Sequence, residues 1–250
     1  MNATGYRDVA NELRAAIVRG DYQAGTTIPK EAELMEHYGL GRNAIRKAVQ
    51  ELRAEGLVVP IRRRGTVVRD RTPVRLPVDR YADVLAPGPG GGPWETACAQ
   101  EGVPGRTELV SVDVGPAADE VATKLEILAG ADIVTRVQHM YAAQQVGQIQ
   151  RAWLPLELVV GTVLAGESKI VGGIYRALAT IGHPPATVHE TVTARMPTRD
   201  EAETMALDLG SPVLGIERIT RGRDGRVLVV TSAVAVGDRV ALNYAQSFPA

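Results

Sequence analysis

Five prolines and four glycines crowd into the stretch from Asp70 to Trp94, and they divide the chain. Pro73, Pro77, Pro87, Pro89 and Pro93 remove backbone donors, while Gly88, Gly90, Gly91 and Gly92 raise the entropy of ordering. The stretch is therefore expected to form neither a helix nor a central strand, and residues 71–94 are assigned as a linker. Its glycine run lacks the Lys-Ser/Thr pair and the helix start that a phosphate loop requires. A block of residues 1–70 remains before it and one of 95–250 after it, each long enough to bury its own core. Of the 250 residues 45% are hydrophobic and only 4% aromatic, so those cores are built from Val, Leu, Ile and Ala.

The formal net charge of −1 conceals an asymmetry. Residues 1–72 hold 13 Lys/Arg against nine Asp/Glu, and the remaining 178 hold 15 against 20. A basic head on an acidic body suggests a polyanion partner for the head. No run approaches the roughly 18 apolar residues that span a bilayer, and Met1–Tyr6 lacks the layout of a secretory leader. A cytoplasmic, nucleoid-associated protein with no membrane partner is expected. The single cysteine, Cys98, excludes an internal disulfide and a cysteine-cluster metal site. No metal and no cofactor is expected.

Apolar periodicity predicts helices over Tyr6–Val18, Glu31–Tyr38 and Arg42–Ala54. In the third, Ile45, Ala48, Val49 and Leu52 form one stripe. Gly39-Leu40-Gly41 turns between the second and third. Two β-prone runs, Leu57–Ile61 and Thr66–Val68, flank Arg62-Arg63-Arg64-Gly65 as a hairpin with a basic tip. Three helices and a hairpin in this order predict a winged helix-turn-helix. Opposite the stripe of the third helix lie Arg42, Asn43, Arg46 and, on the flank, Lys47. Arginine offers a bidentate fork to guanine and Asn can do the same for adenine, while a basic hairpin tip follows phosphates or enters the minor groove. The partner expected for this surface is a double-stranded DNA operator.

Residues 6–68 resemble the DNA-binding domain of the GntR family of bacterial transcription regulators. The match runs through Arg19-Gly20-Asp21-Tyr22-Gln23-Ala24-Gly25, Ile28-Pro29-Lys30-Glu31, Gly41-Arg42-Asn43-Ala44-Ile45-Arg46, Glu51-Leu52-Arg53-Ala54-Glu55-Gly56-Leu57-Val58 and Arg64-Gly65-Thr66-Val67-Val68. By this resemblance Arg42 and Arg46 are DNA-contacting arginines. The chain departs from the family at Lys30, where a helix-capping Ser is usual, and at Arg63, where the wing tip usually has Gly. Lys30 gives up the cap but adds a phosphate ligand.

Beyond the linker, strand-like runs (Glu108–Val114, Ile133–Ala142, Gly147–Trp153, Thr187–Arg195, Val213–Arg221, Val227–Val236) alternate with helix-like ones (Ala117–Leu128, Ile170–Ile181, Arg199–Leu207). Short turns such as Gly222-Arg223-Asp224-Gly225 predict a mostly antiparallel α+β body. Residues 107–246 resemble the UTRA ligand-sensing domain of the HutC-type branch, which has the chorismate-lyase fold. Leu125–Arg136, Gln150–Pro155, Gly173-Ile174-Tyr175, Ala202–Leu207, Gly210–Leu214 and Gly237-Asp238-Arg239 carry the likeness. The resemblance implies an effector pocket near Arg136, Gln138, Gln150, Tyr175 and Val229. Sugar-phosphate sensors of this type carry a second Arg at the place of Gln138 and carboxylates near Gln150 and Val229. These positions are neutral here, so the expected effector is apolar or weakly polar and not a sugar phosphate.

An enzyme has little support in the sequence. His37, His139, His183 and His189 are scattered, no Gly-x-Ser-x-Gly elbow is present, and Cys98 has no nearby His. Lyase activity would rest on fold analogy alone. The expected function is a homodimeric repressor released from a pseudo-palindromic operator by a small molecule. A ligand-independent repressor, with the body as a dimerising spacer, is the alternative.

Overall fold

The computed structural model describes residues 5–61, 63–69, 73–77, 92–207 and 211–244, which form two compact units that divide between Thr72 and Pro73. The first unit is built from α1 (Tyr6–Arg19), α2 (Glu31–Tyr38), α3 (Arg42–Ala54), β1 (Val58–Ile61) and β2 (Gly65–Val68). Each helix buries the apolar face that its period dictates: Val9, Ala10 and Leu13 of α1 and Leu34 of α2 meet Ile45, Ala48 and Leu52 of α3. Leu57, Val58 and Val68 close this core from the hairpin side, and Ile28 joins it from the loop after α1. Gly39 adopts φ 65°, the left-handed turn that ends α2 and that a side chain would strain. An Arg14–Glu55 ion pair, with Nε to Oε2 at 2.7 Å, ties α1 to the end of α3. The hairpin is in antiparallel register from Val58↔Val68 to Ile61↔Gly65, and Thr27 bridges to Val67 as a short third lane.

The second unit is a six-stranded, fully antiparallel sheet. It contains β4 (Gly105–Pro116), β5 (Asp132–Ala142), β6 (Gln145–Pro155), β7 (Pro185–Arg195), β8 (Val213–Gly222) and β9 (Val227–Val236), in the order β4-β5-β6-β9-β8-β7. Alternation sends one side chain in two to each face. On one face α6 (Leu156–Val159) and α7 (Gly173–Thr180) pack through Leu158, Val159, Tyr175 and Leu178 against Val134, Leu154 and Val229. On the other face α5 (Asp119–Leu125) lays Ala122 and Leu125 over Ile133 and Val230. The capped turn α8 (Arg199–Thr204) precedes Met205, which is buried beside Val213 and Val236.

The expected linker requires correction at both ends, because each is folded onto the second unit. Val74–Pro77 forms β3, which pairs in parallel with β10 (Val240–Asn243). Prolines bracket the strand, and a two-stranded ladder needs hydrogen bonds on one side only, so they do no damage there. Pro93–Gln100 forms α4, with Pro93 in the first turn, where its missing N–H costs nothing. A helix start therefore does follow the glycine run. Val74 and Leu76 of β3 bury with Trp94, Ala97 and Cys98 of α4 against Ile216, Ala233 and Ala235 of the sheet. The expected body helices are shorter than their apolar patterns, and α4, α6, β3 and β10 are additions to them.

Candidate nucleic-acid interface and cavity

In α3 the buried stripe points the opposite flank outward, and Arg42, Asn43, Arg46 and Lys47 are all exposed. No side chain caps the helix at Gly41, so no side-chain oxygen takes the first-turn N–H groups next to the exposed Arg42 and Asn43. Arg46 is not idle: its Nε donates to the Glu31 carboxylate of α2 at 3.0 Å, on the surface. Lys47 lies with its Nζ 4.2 Å from the centre of the Tyr6 ring and so leans on α1. Lys30 stands at the start of α2 as an exposed residue. The lost hydroxyl cap is half made good there, because the Glu33 carboxylate accepts the Lys30 backbone N–H at 2.8 Å.

At the wing tip, Arg63 has φ 67°, the left-handed conformation that explains why Gly suits this position. Arg63 and Gly65 are exposed, whereas Arg64 donates to the carbonyl of Gly25 at 2.9 Å and braces the tip against the loop after α1. Arg62 lies outside the described residues.

The second unit holds a half-open cavity of about 330 Å³. Its floor is the sheet face that carries Gln138 and Met140 (β5), Gln148 and Gln150 (β6), Thr231 (β9), and Ile216 and Arg218 (β8). One wall is the start of α7 and the segment before it, from Lys169 to Tyr175. The other is formed by Leu76 of β3 and by Pro93, Trp94 and Glu95 of α4. Trp94 fits because residue 147 is glycine: a Cβ there would come within 2.7 Å of its ring. Glu95 accepts from the Thr107 N–H at 3.1 Å and from Lys169 Nζ at 2.9 Å, which joins the two walls. Burial pushes the Glu95 carboxyl up, but these donors outweigh it and hold the group below the ordinary carboxylate range.

Of the expected effector residues, Gln138, Gln150 and Tyr175 line this cavity, while Arg136 and Val229 are not among its lining. Val229 is fully buried in the core beneath α7. Arg136 is also fully buried, and its guanidinium donates to the carbonyls of Leu164 at 2.9 Å, Gly166 at 2.6 Å and Ser168 at 2.7 Å. Its charge thus gathers the loop that leads to the cavity wall. The Tyr175 hydroxyl shares a 2.7 Å hydrogen bond with Thr220, and the residue lines the cavity.

Sequence reasoning missed Arg218. It lies on the floor 4% exposed, donates to Gln150 Oε1 at 2.9 Å and has the Glu190 carboxylate 3.8 Å away. The available signal was its inward position in the alternation Ile216-Arg218-Thr220, an arginine in an otherwise apolar or small series. Cys98 is buried, and burial pushes its thiol up to about 11, so it stays protonated at neutral pH.

A chain that holds both a winged helix-turn-helix unit and a sheet unit with a ligand-sized cavity defines a class of ligand-sensing transcription regulators. The family described as bacterial regulatory proteins, gntR family, matches residues 5–68, and the UTRA domain family matches residues 100–241. The chain belongs to the GntR family of transcription regulators and carries a UTRA domain. It is 29% identical over 251 residues to an uncharacterized HTH-type transcriptional regulator of Streptomyces coelicolor, covering 97% of this chain and 92% of that one. The probable fructoselysine utilization operon transcriptional repressor of Escherichia coli is 25% identical, covering 95% and 92% of the two chains. Among solved structures, a GntR-family transcriptional regulator superposes with a TM-score of 0.61 at 29% identity, over 98% of both chains. PhnF from Mycobacterium smegmatis shares the fold, with a TM-score of 0.62 at 20% identity over 96% of this chain and 99% of that one.

Proposed function

We propose that the protein is a cytoplasmic, homodimeric repressor that sets two copies of α3 in the major groove of a pseudo-palindromic operator and leaves it when a small molecule fills the cavity. The observation that carries this is the exposed face of α3, where Arg42 and Asn43 stand beside an uncapped helix start and Arg46 follows one turn later. Arg42, Asn43 and Arg46 then meet base edges, while Lys30, Arg63 and Gly65 follow phosphates together with Arg62. Lys47 and Arg64, held by Tyr6 and Gly25, act at the margin of this surface. Dimerisation belongs to the body, residues 95–250 extended by β3 and α4. A ligand releases the operator only by binding more tightly to the dimer arrangement that fits the half-sites poorly. A relative whose printed name is that of an operon repressor supports repression over activation.

Gel-shift titration on operator DNA recovered by genomic footprinting tests the placement. Arg42→Ala and Arg46→Ala should each weaken binding by about 1–3 kcal/mol, roughly five- to 150-fold, and relax base preference at one position of each half-site. Wild-type affinity and preference in both variants would remove α3 from the groove.

A further inference from the structure

We propose that the cavity takes an uncharged molecule with an apolar body and one amide-like edge, read by Gln138 and Thr231. The inference deepens the effector reading above and rests on it.

The charged groups that line the cavity already have opposite charges beside them. Glu95 holds Lys169 at 2.9 Å, and Arg218 has Gln150 at 2.9 Å and the Glu190 carboxylate at 3.8 Å. A ligand anion must draw Arg218 or Lys169 away from its carboxylate, and a ligand cation must do the reverse. At Arg218 and Glu190, both largely buried, the exchange strands a charge and is strongly unfavourable; Lys169 is exposed, so its pair with Glu95 resists less.

Beside the charged groups, of which Arg218 Nε and Glu190 Oε1 make no hydrogen bond to each other, stands unused neutral hydrogen-bonding capacity. Gln138 is 9% exposed and lines the floor, and its side-chain amide has no hydrogen-bond partner among the described residues. Thr231 is 3% exposed and lines the same floor, and its hydroxyl is likewise without one there. A carboxamide presents one acceptor and two donors, so Gln138 pairs best with a group that offers both in one plane, as an amide, lactam or imide does. Gln150 lies directly across from Gln138 in the β5–β6 ladder, and its Oε1 is engaged by Arg218. That leaves the Gln150 Nε2 donor to extend the same edge. The rest of the lining fits an apolar body, with Trp94, Met140, Ile170, Ile174 and Ile216 around it.

A matched pair of probes decides the matter, 3-phenylpropanamide against 3-phenylpropanoate, on the full-length protein. Thermal shift and Trp94 emission, read in a Trp153→Phe background, report occupancy without DNA. The amide is expected to bind at least about tenfold more tightly than the acid. Gln138→Leu and, separately, the isosteric Thr231→Val should each erase that preference while the unliganded melting temperature stays near wild type. Equal or tighter binding of the acid overturns the uncharged class and leaves the cavity as an effector site. An amide preference that survives both variants overturns the assignment of the edge to these residues. No shift and no emission change with either probe at high millimolar concentration overturns the cavity reading, and the ligand class falls with it.

Discussion

The two units treat their arginines in opposite ways. The head keeps Arg42, Arg46 and Arg63 on its surface, and the ion pair that Arg46 makes with Glu31 is exposed. The body buries Arg136 and Arg218 completely or nearly so; Arg136 donates to three backbone carbonyls and Arg218 to Gln150, although the Nε of each has no hydrogen-bond partner among the described residues. A surface that must grip a polyanion needs cations that can be surrendered cheaply. An internal site needs cations that are committed to the fold before any ligand arrives. Exposed pairs contribute about 0–1 kcal/mol, whereas a buried group deprived of partners costs several.

The sharpest way to break this contrast is Arg136→Ala. It strips three carbonyls of their donor and leaves a void, so the body should lose roughly 3 kcal/mol or more, with a fall in Tm on the order of 10 °C. The check is differential scanning calorimetry, in which the head's transition should hardly move. A body transition at the wild-type temperature would mean that the loop over residues 164–168 is held by other contacts. Glu31→Gln tests the opposite claim for the head. It frees Arg46 and removes a carboxylate from the face proposed to meet DNA, so operator affinity should rise by up to about fivefold with little change in stability. The smallest effect belongs to the wing tip. Arg63→Gly relieves the left-handed strain but adds entropy to the unfolded chain, for a net gain of about 0.5 kcal/mol. That gain should appear as a higher urea midpoint at constant m, alongside slightly weaker and less salt-sensitive DNA binding.

The same contrast governs what could be read from the sequence. Helices α1 to α3 end within a residue of where their apolar periods and glycines place them, because local pattern and tertiary packing agree there. In the body, Gln138 and Gln150 came from the family resemblance and do line the cavity, yet Arg136 and Val229 do not. The partners of Arg136 are backbone carbonyls of residues 164, 166 and 168, and a carbonyl has no sequence signature. Arg218 looks like any surface arginine until the sheet order shows which face its strand turns inward. Pro93 reads as a breaker in the sequence, although in the first turn of α4 it is a starter. Strand β3 has four residues and a parallel partner more than 160 positions away, too little local signal for any periodicity to register.

Strand β3 has one consequence for timing as much as for shape. Leu76 touches the cavity only four residues beyond the point where the head ends. A guest in the cavity would therefore press on a strand that stands four residues along the chain from the other unit.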